Sequence, residues 1–395
     1  MARFARSDGA CAAVALEGGT GLAILDYFGR KTRFLLGAAI VATVASAVLV
    51  VSGGTPVVTF GATAIALAML ASLVGEGTEQ LGARQGPAVT GILQSALGNL
   101  PELFISLFSL QAGLVVVVQF ALIGSILANS LLVLGAAFLV GGLKFGTQQF
   151  GARASRSIAT LLLLAVASLV IPTLATAPGA PDAGHAAELS VVVSIVLLVV
   201  FAGSLIFSIR RDARPEPATY PPATTAQAVV RAEGPGHLWP QWLALVVLAG
   251  AAVTAAFVSD WFVAALRPSM ASLGMSESFA GLVIVAIAGN AVENVVGIQA
   301  AARNQADLAV SLILNSSLQV AIALTPALVI ISMLMGVAPL TLVVTPLLAG
   351  AAGLSAILAA VIVFDGESNW LEGLALIGLY LIIAASVWWG PVIGV

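Results

Sequence analysis

Runs of apolar residues, each about 20 long or longer, recur along this chain between short polar breaks, and that length is what a helix needs to cross a bilayer. In lipid every backbone polar group must be satisfied inside the protein, so only helices and closed barrels span, and unbroken runs of this length are the helical solution. Charge agrees with length. Of the 395 residues only 8% are charged and 60% are hydrophobic, too little charge to cover a water-soluble fold of this size. The expectation is an all-α polytopic membrane protein with the lipid bilayer as its solvent.

Eleven spans are predicted, near residues 33–52, 56–75, 87–111, 114–141, 156–177, 187–209, 239–263, 278–301, 308–334, 339–364 and 370–393. With the N-terminus in the cytoplasm, fourteen of the fifteen Lys and Arg residues fall on the inner side and only Arg267 lies outside. The C-terminus then falls on the far side. The first 30 residues carry Asp8, Glu17 and Asp26 and match a cleavable signal peptide poorly. Residues 210–237, rich in Pro, Ala and Thr, read as a cytoplasmic tether between two halves. The predicted organisation is a cytoplasmic segment (1–32), one extra N-terminal helix (33–55), a first repeat (56–209), the tether and a second repeat (238–395). No basic patch argues for nucleic acid, and the single cysteine, Cys11, excludes an intrachain disulfide and a thiolate metal cluster.

The stretches "GNLPELFISLFSLQA" and "GNAVENVVGIQAARN" align at an offset of 191, which sets Gly98, Asn99 and Glu102 on Gly289, Asn290 and Glu293. Carried forward without a gap, the offset sets Ser125 on Ser316. The two stretches lie five crossings apart, so their helices run oppositely through the membrane; this is the inverted-topology repeat of many transporters. Ser95, Asn99, Glu102, Ser106 and Ser109 follow 4, 3, 4, 3 spacing and form one helical stripe. Ser125 with Asn129, and Asn315 with Gln319, are i, i+4 pairs on the following spans. Pro101, placed inside a span, is expected to free the carbonyl of Leu97.

Carboxylates, amide carbonyls and hydroxyls, with no sulfur or imidazole among them, suit a hard cation such as Ca²⁺. A buried intramembrane glutamate costs several kcal/mol and marks function by default. Two carboxylates in one dry pocket do not both stay charged without a cation, so Ca²⁺ and H⁺ are expected to compete for Glu102 and Glu293. The expected metal ligands are Glu102, Glu293, Asn99, Asn290, Ser125, Ser316, Asn129 and Gln319, with both glutamates also coupling protons. Glu76, Glu79 and Asp260 are candidate cation vestibules near span ends. Asp365 and Glu367 read as a solvated turn, and His185 and His237 as outside the site. No resident cofactor and no enzymatic reaction are expected.

With "GNLPELFISLFSL", "LIGSILANSLLVLG", "IAGNAVENVVGIQAA", "LNSSLQVAIAL" and "DGESNWLEGLALIGLYLII" in order, residues 33–393 resemble the cation/Ca²⁺ exchanger superfamily in its Ca²⁺/H⁺ antiporter branch. The resemblance implies ten core helices in two inverted halves after one extra helix, with ion-binding glutamates at Glu102 and Glu293. It likewise places the family's asparagines, serines and glutamine on Asn99, Ser125, Asn129, Asn290, Ser316 and Gln319. Two features depart from it: Asn294 stands where eukaryotic relatives often carry histidine, and the tether lacks a run of acids. The short tether and the Ala- and Gly-rich composition point to a prokaryotic plasma membrane. The alternatives are exchange of Na⁺ for Ca²⁺, transport of Mn²⁺ or another divalent, a passive channel and, remotely, an intramembrane protease, although such enzymes use paired aspartates.

Overall fold

The computed structural model describes residues 27–82, 93, 97–180, 183–212 and 238–389, without the side chains of 152–154 and 208–212. Cys11, Ser95, His237 and residues 213–237 of the expected tether lie outside that description. The chain is a mostly helical, polytopic fold. The helices are α1 (Arg30–Ser52), α2 (Pro56–Gly82), α3 (Leu100–Gln111), α4 (Val115–Phe145), α5 (Ala152–Ala175), α6 (Ala186–Asp212), α7 (Gln241–Leu273), α8 (Glu277–Gly289), α9 (Ala291–Ala302), α10 (Ala306–Leu334), α11 (Pro346–Ile362) and α12 (Trp370–Trp388). Eight of them are long and apolar enough to cross a membrane, and α8 with α9, bent by 66°, make a ninth span if counted together. The shorter apolar helices α3 and α11 lie where the third and tenth spans are expected.

Two expectations need correction. Span eight is not one continuous helix, because it breaks at Asn290 between α8 and α9. Span ten does not begin at residue 339; its helix begins at Pro346, with Thr345 as N-cap accepting a bond from the Leu348 amide at 3.3 Å. The preceding stretch is non-helical, and in apolar surroundings its backbone has to find partners within the protein. It finds them on the neighbouring helices. The amides of Leu340, Leu342 and Val344 donate to the hydroxyls of Ser332, Ser190 and Thr173 at 2.9, 3.0 and 3.0 Å. The Gln119 amide on α4 donates to the carbonyls of Thr341 and Val343, both at 3.0 Å.

The offset of 191 recurs in local structure. α3 and α9 start and end 191 residues apart, as do the first residues of α4 and α10. Each of these long helices contains a π-helical turn, Ala128–Val133 in α4 and Val320–Leu324 in α10. The turns joining α3 to α4 and α9 to α10 share two bonds: Leu114 N to Ser109 O at 2.8 Å corresponds to Gln305 N to Ala300 O at 2.9 Å, and Gly113 N to Leu110 O to Asn304 N to Ala301 O, both at 3.0 Å. Gly113 and Asn304 take the same left-handed conformation there, with φ of 75° and 60°. Asparagine is among the few non-glycine residues that tolerate it.

Buried apolar side chains form two clusters. One joins α1, α2 and α7 to parts of α3, α4 and α8; the other joins most of α4 to α5, α10, α11 and α12. Helices cross closely where glycine removes the side chain. A Cβ on Gly124 of α4 would lie 2.6 Å from the Leu282 Cα of α8, and one on Gly135 would lie 2.7 Å from the Gly373 carbonyl oxygen of α12. Exposed Gly250 has nothing within 4 Å. Gly124→Ala is therefore expected to destabilise the fold by about 1–3 kcal/mol through overpacking. Gly250→Ala should be neutral or stabilising by up to ~1 kcal/mol, since alanine is the better helix former. Thermal unfolding of the detergent-solubilised variants checks the opposite signs.

Candidate ion-binding site

The two repeat glutamates occupy one structural position. Glu102 is the third residue of α3 and Glu293 the third residue of α9, with Asn99 and Asn290 as the N-cap residues in similar backbone conformations (φ −93°, ψ 15° and φ −109°, ψ 20°). Matching bonds close the first turns, Leu103 N to Asn99 O at 2.9 Å and Asn294 N to Asn290 O at 3.0 Å. Unpaired amides and the macrodipole give a helix start partial positive charge, which favours a carboxylate in the first turn. Pro101 stands in the first turn of α3, where its missing N–H costs that helix no bond. The second repeat breaks at the same place with Ala291 and Val292 instead, so proline is not what makes the break.

Side chains from α3, α4 and the α8–α9 break meet at Glu102. The carboxyl group is fully buried. Ser125 Oγ on α4 donates to Glu102 Oε1. Asn290 Nδ2 donates to Ser125 Oγ at 2.9 Å and to the Ala286 carbonyl, also at 2.9 Å. Gly289 lets the α8 backbone rest on the glutamate's carbon chain, since a Cβ there would lie 3.2 Å from Glu102 Cβ. Glu293 is half-buried and within electrostatic reach of Glu102. A second group links α4 to α10 through Asn129 Nδ2, which donates to Ser316 Oγ at 3.1 Å. At the edge, Asn99 Nδ2 reaches Gln319 Oε1 at 3.5 Å.

With their donors so engaged, several acceptors remain. Glu102 Oε2, Asn290 Oδ1, Asn129 Oδ1 and Asn294 Oδ1 are buried oxygens without a hydrogen-bond partner. Such atoms are costly in a folded interior unless something positive meets them. Neither glutamate is ion-paired to a basic side chain among the described residues. No group of three or more His, Cys, Asp or Glu occurs among them either, so the donor set is amide and hydroxyl oxygen around two carboxylates. That is hard-cation chemistry. Asn294 was read from sequence only as a departure from a family pattern. Its place one helical turn after Asn290, in "NAVEN", was the available signal that it shares the asparagine's face.

The vestibule candidates sit on α2 and α7, and Gly75 beside Glu76 packs on Val292, the residue before Glu293, 3.9 Å from an added Cβ. Glu76 and Glu79 are half-buried in the last turns of α2. Asp260 is exposed on α7, 13 residues before that helix ends at Leu273, so it is further from the helix terminus than the expected span boundary implied. Asp365 and Glu367 are exposed beside the short pairing of β1 (Gln148–Gln149) with β2 (Glu367–Ser368). Exposed His185 lies 4.0 Å from Glu188 and away from the site.

The family profile described as "Sodium/calcium exchanger protein" matches residues 55–210 and 243–389. The chain belongs to this family. Within it, the chain is 32% identical over 335 residues to a Ca(2+)/H(+) antiporter of Aphanothece halophytica, covering 83% of this chain and 89% of that one. It is 35% identical to the Ca(2+)/H(+) antiporter ChaA of Bacillus subtilis, with 83% and 91% covered. The solved structure of native YfkE superposes with a TM-score of 0.74 at 30% identity, over 90% of this chain and 99% of that one. The H+/Ca2+ exchanger CAX superposes at 0.68 with 16% identity over 91% and 92%, a likeness of fold. The resemblance to the cation/Ca²⁺ exchanger superfamily thus holds across both halves.

The hydroxyl of Ser125 both donates to Glu102 and accepts from Asn290, so the three act as one network. Ser125→Ala and Asn290→Ala are expected to be non-additive by about 0.5–3 kcal/mol in a double-mutant cycle on unfolding. Additivity within a few tenths would show that the network is not coupled.

Proposed function

We propose that the chain is a secondary active transporter that exchanges Ca²⁺ for H⁺ by alternating access, with both ions competing for Glu102 and Glu293. The observation that carries this reading is the pair of buried, unpartnered oxygens in the Glu102 network, its own Oε2 and the Oδ1 of Asn290, which reaches the carboxyl group through Ser125. A hard divalent cation satisfies them together. Without it, one proton neutralises the carboxylate and makes its free oxygen a hydrogen-bond donor. A site that holds either occupant but not both is an antiporter's site, provided only loaded states switch access.

In this reading Glu102 and Glu293 bind Ca²⁺ and take up the protons. Ser125 and Asn290 orient the first carboxylate, Asn129 and Ser316 brace α4 against α10, and Asn99 and Gln319 complete the rim. The two curated relatives above, named as Ca(2+)/H(+) antiporters at 32% and 35% identity, support protons over Na⁺ as the counter-ion. We place the N-terminus in the cytoplasm of a prokaryotic plasma membrane, on the arginine distribution and on the tether's composition.

The test is Ca²⁺ uptake into sealed vesicles with an imposed pH gradient and no Na⁺. The intact protein should take up Ca²⁺, and Glu102→Gln and Glu293→Gln should each lower the rate by roughly two orders of magnitude or more, as expected when one partner of a buried charged site is lost. Uptake indifferent to the gradient but driven by Na⁺ would replace the proton with Na⁺. Uptake that survives both substitutions would remove the glutamates from the site.

A further inference from the structure

Several buried serines and threonines on helices here bond back to their own helix, as this residue type commonly does. Ser46 donates to Ala42 O at 2.8 Å, Thr63 to Thr59 O at 2.9 Å, Thr78 to Val74 O at 2.7 Å and Ser269 to Ala265 O at 2.6 Å. Ser106 and Ser109 on α3 do not. Both are buried, each 1% exposed, and neither hydroxyl has a partner of any kind. They continue the face of α3 that carries Glu102, at i+4 and i+7.

That face has a particular place in the fold. Leu103, Leu107 and Leu110 pack into one apolar cluster, and Phe104, Ile105 and Phe108 into the other. The serine face is what remains between them, so it lies along the seam where the two clusters meet. α3 packs against α7 and against the second half of α10. By helix rise Ser106 is ~6 Å beyond Glu102 and Ser109 ~4.5 Å further, steps that a single bridging water spans. The seam then reaches the exposed turn at Gln111–Gly113.

We infer that the Ser106–Ser109 face of α3 lines a hydrated access path for a hard cation between the Glu102 site and the Gln111 end of the helix. The serine oxygens replace part of the ion's water shell one step at a time, and being uncharged they do not trap it. The path is one-sided. At the offset of 191 the matching residues on α9 are Gly297 and Ala300, and Gly297 is closed over by Ile313, whose side chain would lie 2.7 Å from an added Cβ. The identity of the cation rests on the proposed function; the hydration of the path does not.

The experiment places Ser106→Cys and Ser109→Cys, separately, in the full chain carrying Cys11→Ser, in sealed vesicles exposed to a charged, membrane-impermeant thiol reagent on one face or the other. Ser46→Cys is the dry control. Both test thiols should react roughly tenfold faster from the Gln111 face than from the opposite face, since modification needs an accessible thiolate. Saturating Ca²⁺ should slow the reaction by occupying the path and the site. One-sided labelling unaffected by Ca²⁺ would uphold the path and reject Ca²⁺ as the occupant of Glu102. Labelling no faster than the control in variants that still transport, or equal from both faces, would overturn the path. Should a cysteine variant fail to fold, Ser106→Thr and Ser109→Ala serve instead: the hydroxyl-keeping change should preserve the transport rate and the hydroxyl-removing change should lower it severalfold, and the reverse order would overturn the path.

Discussion

A carboxyl group with no exposed surface, set among apolar helices, is the constraint to which the rest of this structure answers. Burying a charge without compensation is among the most expensive things a fold can do, and among the described residues Glu102 has no basic side chain to neutralise it. The compensation present is partial and dipolar. The start of α3 supplies positive potential, Ser125 supplies one hydrogen bond, and Asn290 fixes the direction of that hydroxyl. One oxygen of the carboxyl group is left over. In the proposed reading, that oxygen is where an exchangeable cation or proton binds.

The helix breaks follow from the same constraint. If α8 and α9 ran straight through Asn290, the α9 amides would be spent on their own helix and Glu293 would meet no helix start. Breaking the span by 66° exposes those amides at the depth of the glutamate, and the first repeat starts α3 at the equivalent residue. The π turns of α4 and α10 fall just after Ser125 and Ser316, where α4 and α10 pass the site. Such turns often mark functional positions, because they shift the phase of a helix without ending it.

Most of this was legible in the sequence for identifiable reasons. Span length and charge depletion are set by the bilayer, so the helical class and most span positions could be read directly. The repeat was legible because Asn99, Glu102, Asn290 and Glu293 are rare residues in an apolar background, and their spacing stands out. What the sequence hid was backbone shape. Nothing in "IAGNAVENVV" announces a break, and Pro101 in the first repeat invites the wrong cause, since its effect depends on whether a helix precedes it. The start of α11 was likewise obscured: the segment before Pro346 is apolar enough to read as helix. Only the side chains of Gln119, Thr173, Ser190 and Ser332, scattered over the chain, make its extended form affordable.

The two repeats agree closely in backbone and differ in what they attach to it. Equal bonds, turns and breaks at an offset of 191 mean that either half can present a carboxylate at a helix start. Yet α3 continues from its glutamate with two unpartnered hydroxyls, while α9 continues with Gly297 and Ala300 against Ile313. A strictly symmetric pair would offer an ion the same surroundings on both sides of the site. Divergent lining lets the two approaches differ in how they handle a hydrated ion while the site between them stays the same, which suits a protein whose two faces meet different solutions. In the proposed reading, symmetry of the backbone sets where the ion sits, and the side chains that break that symmetry set how it arrives.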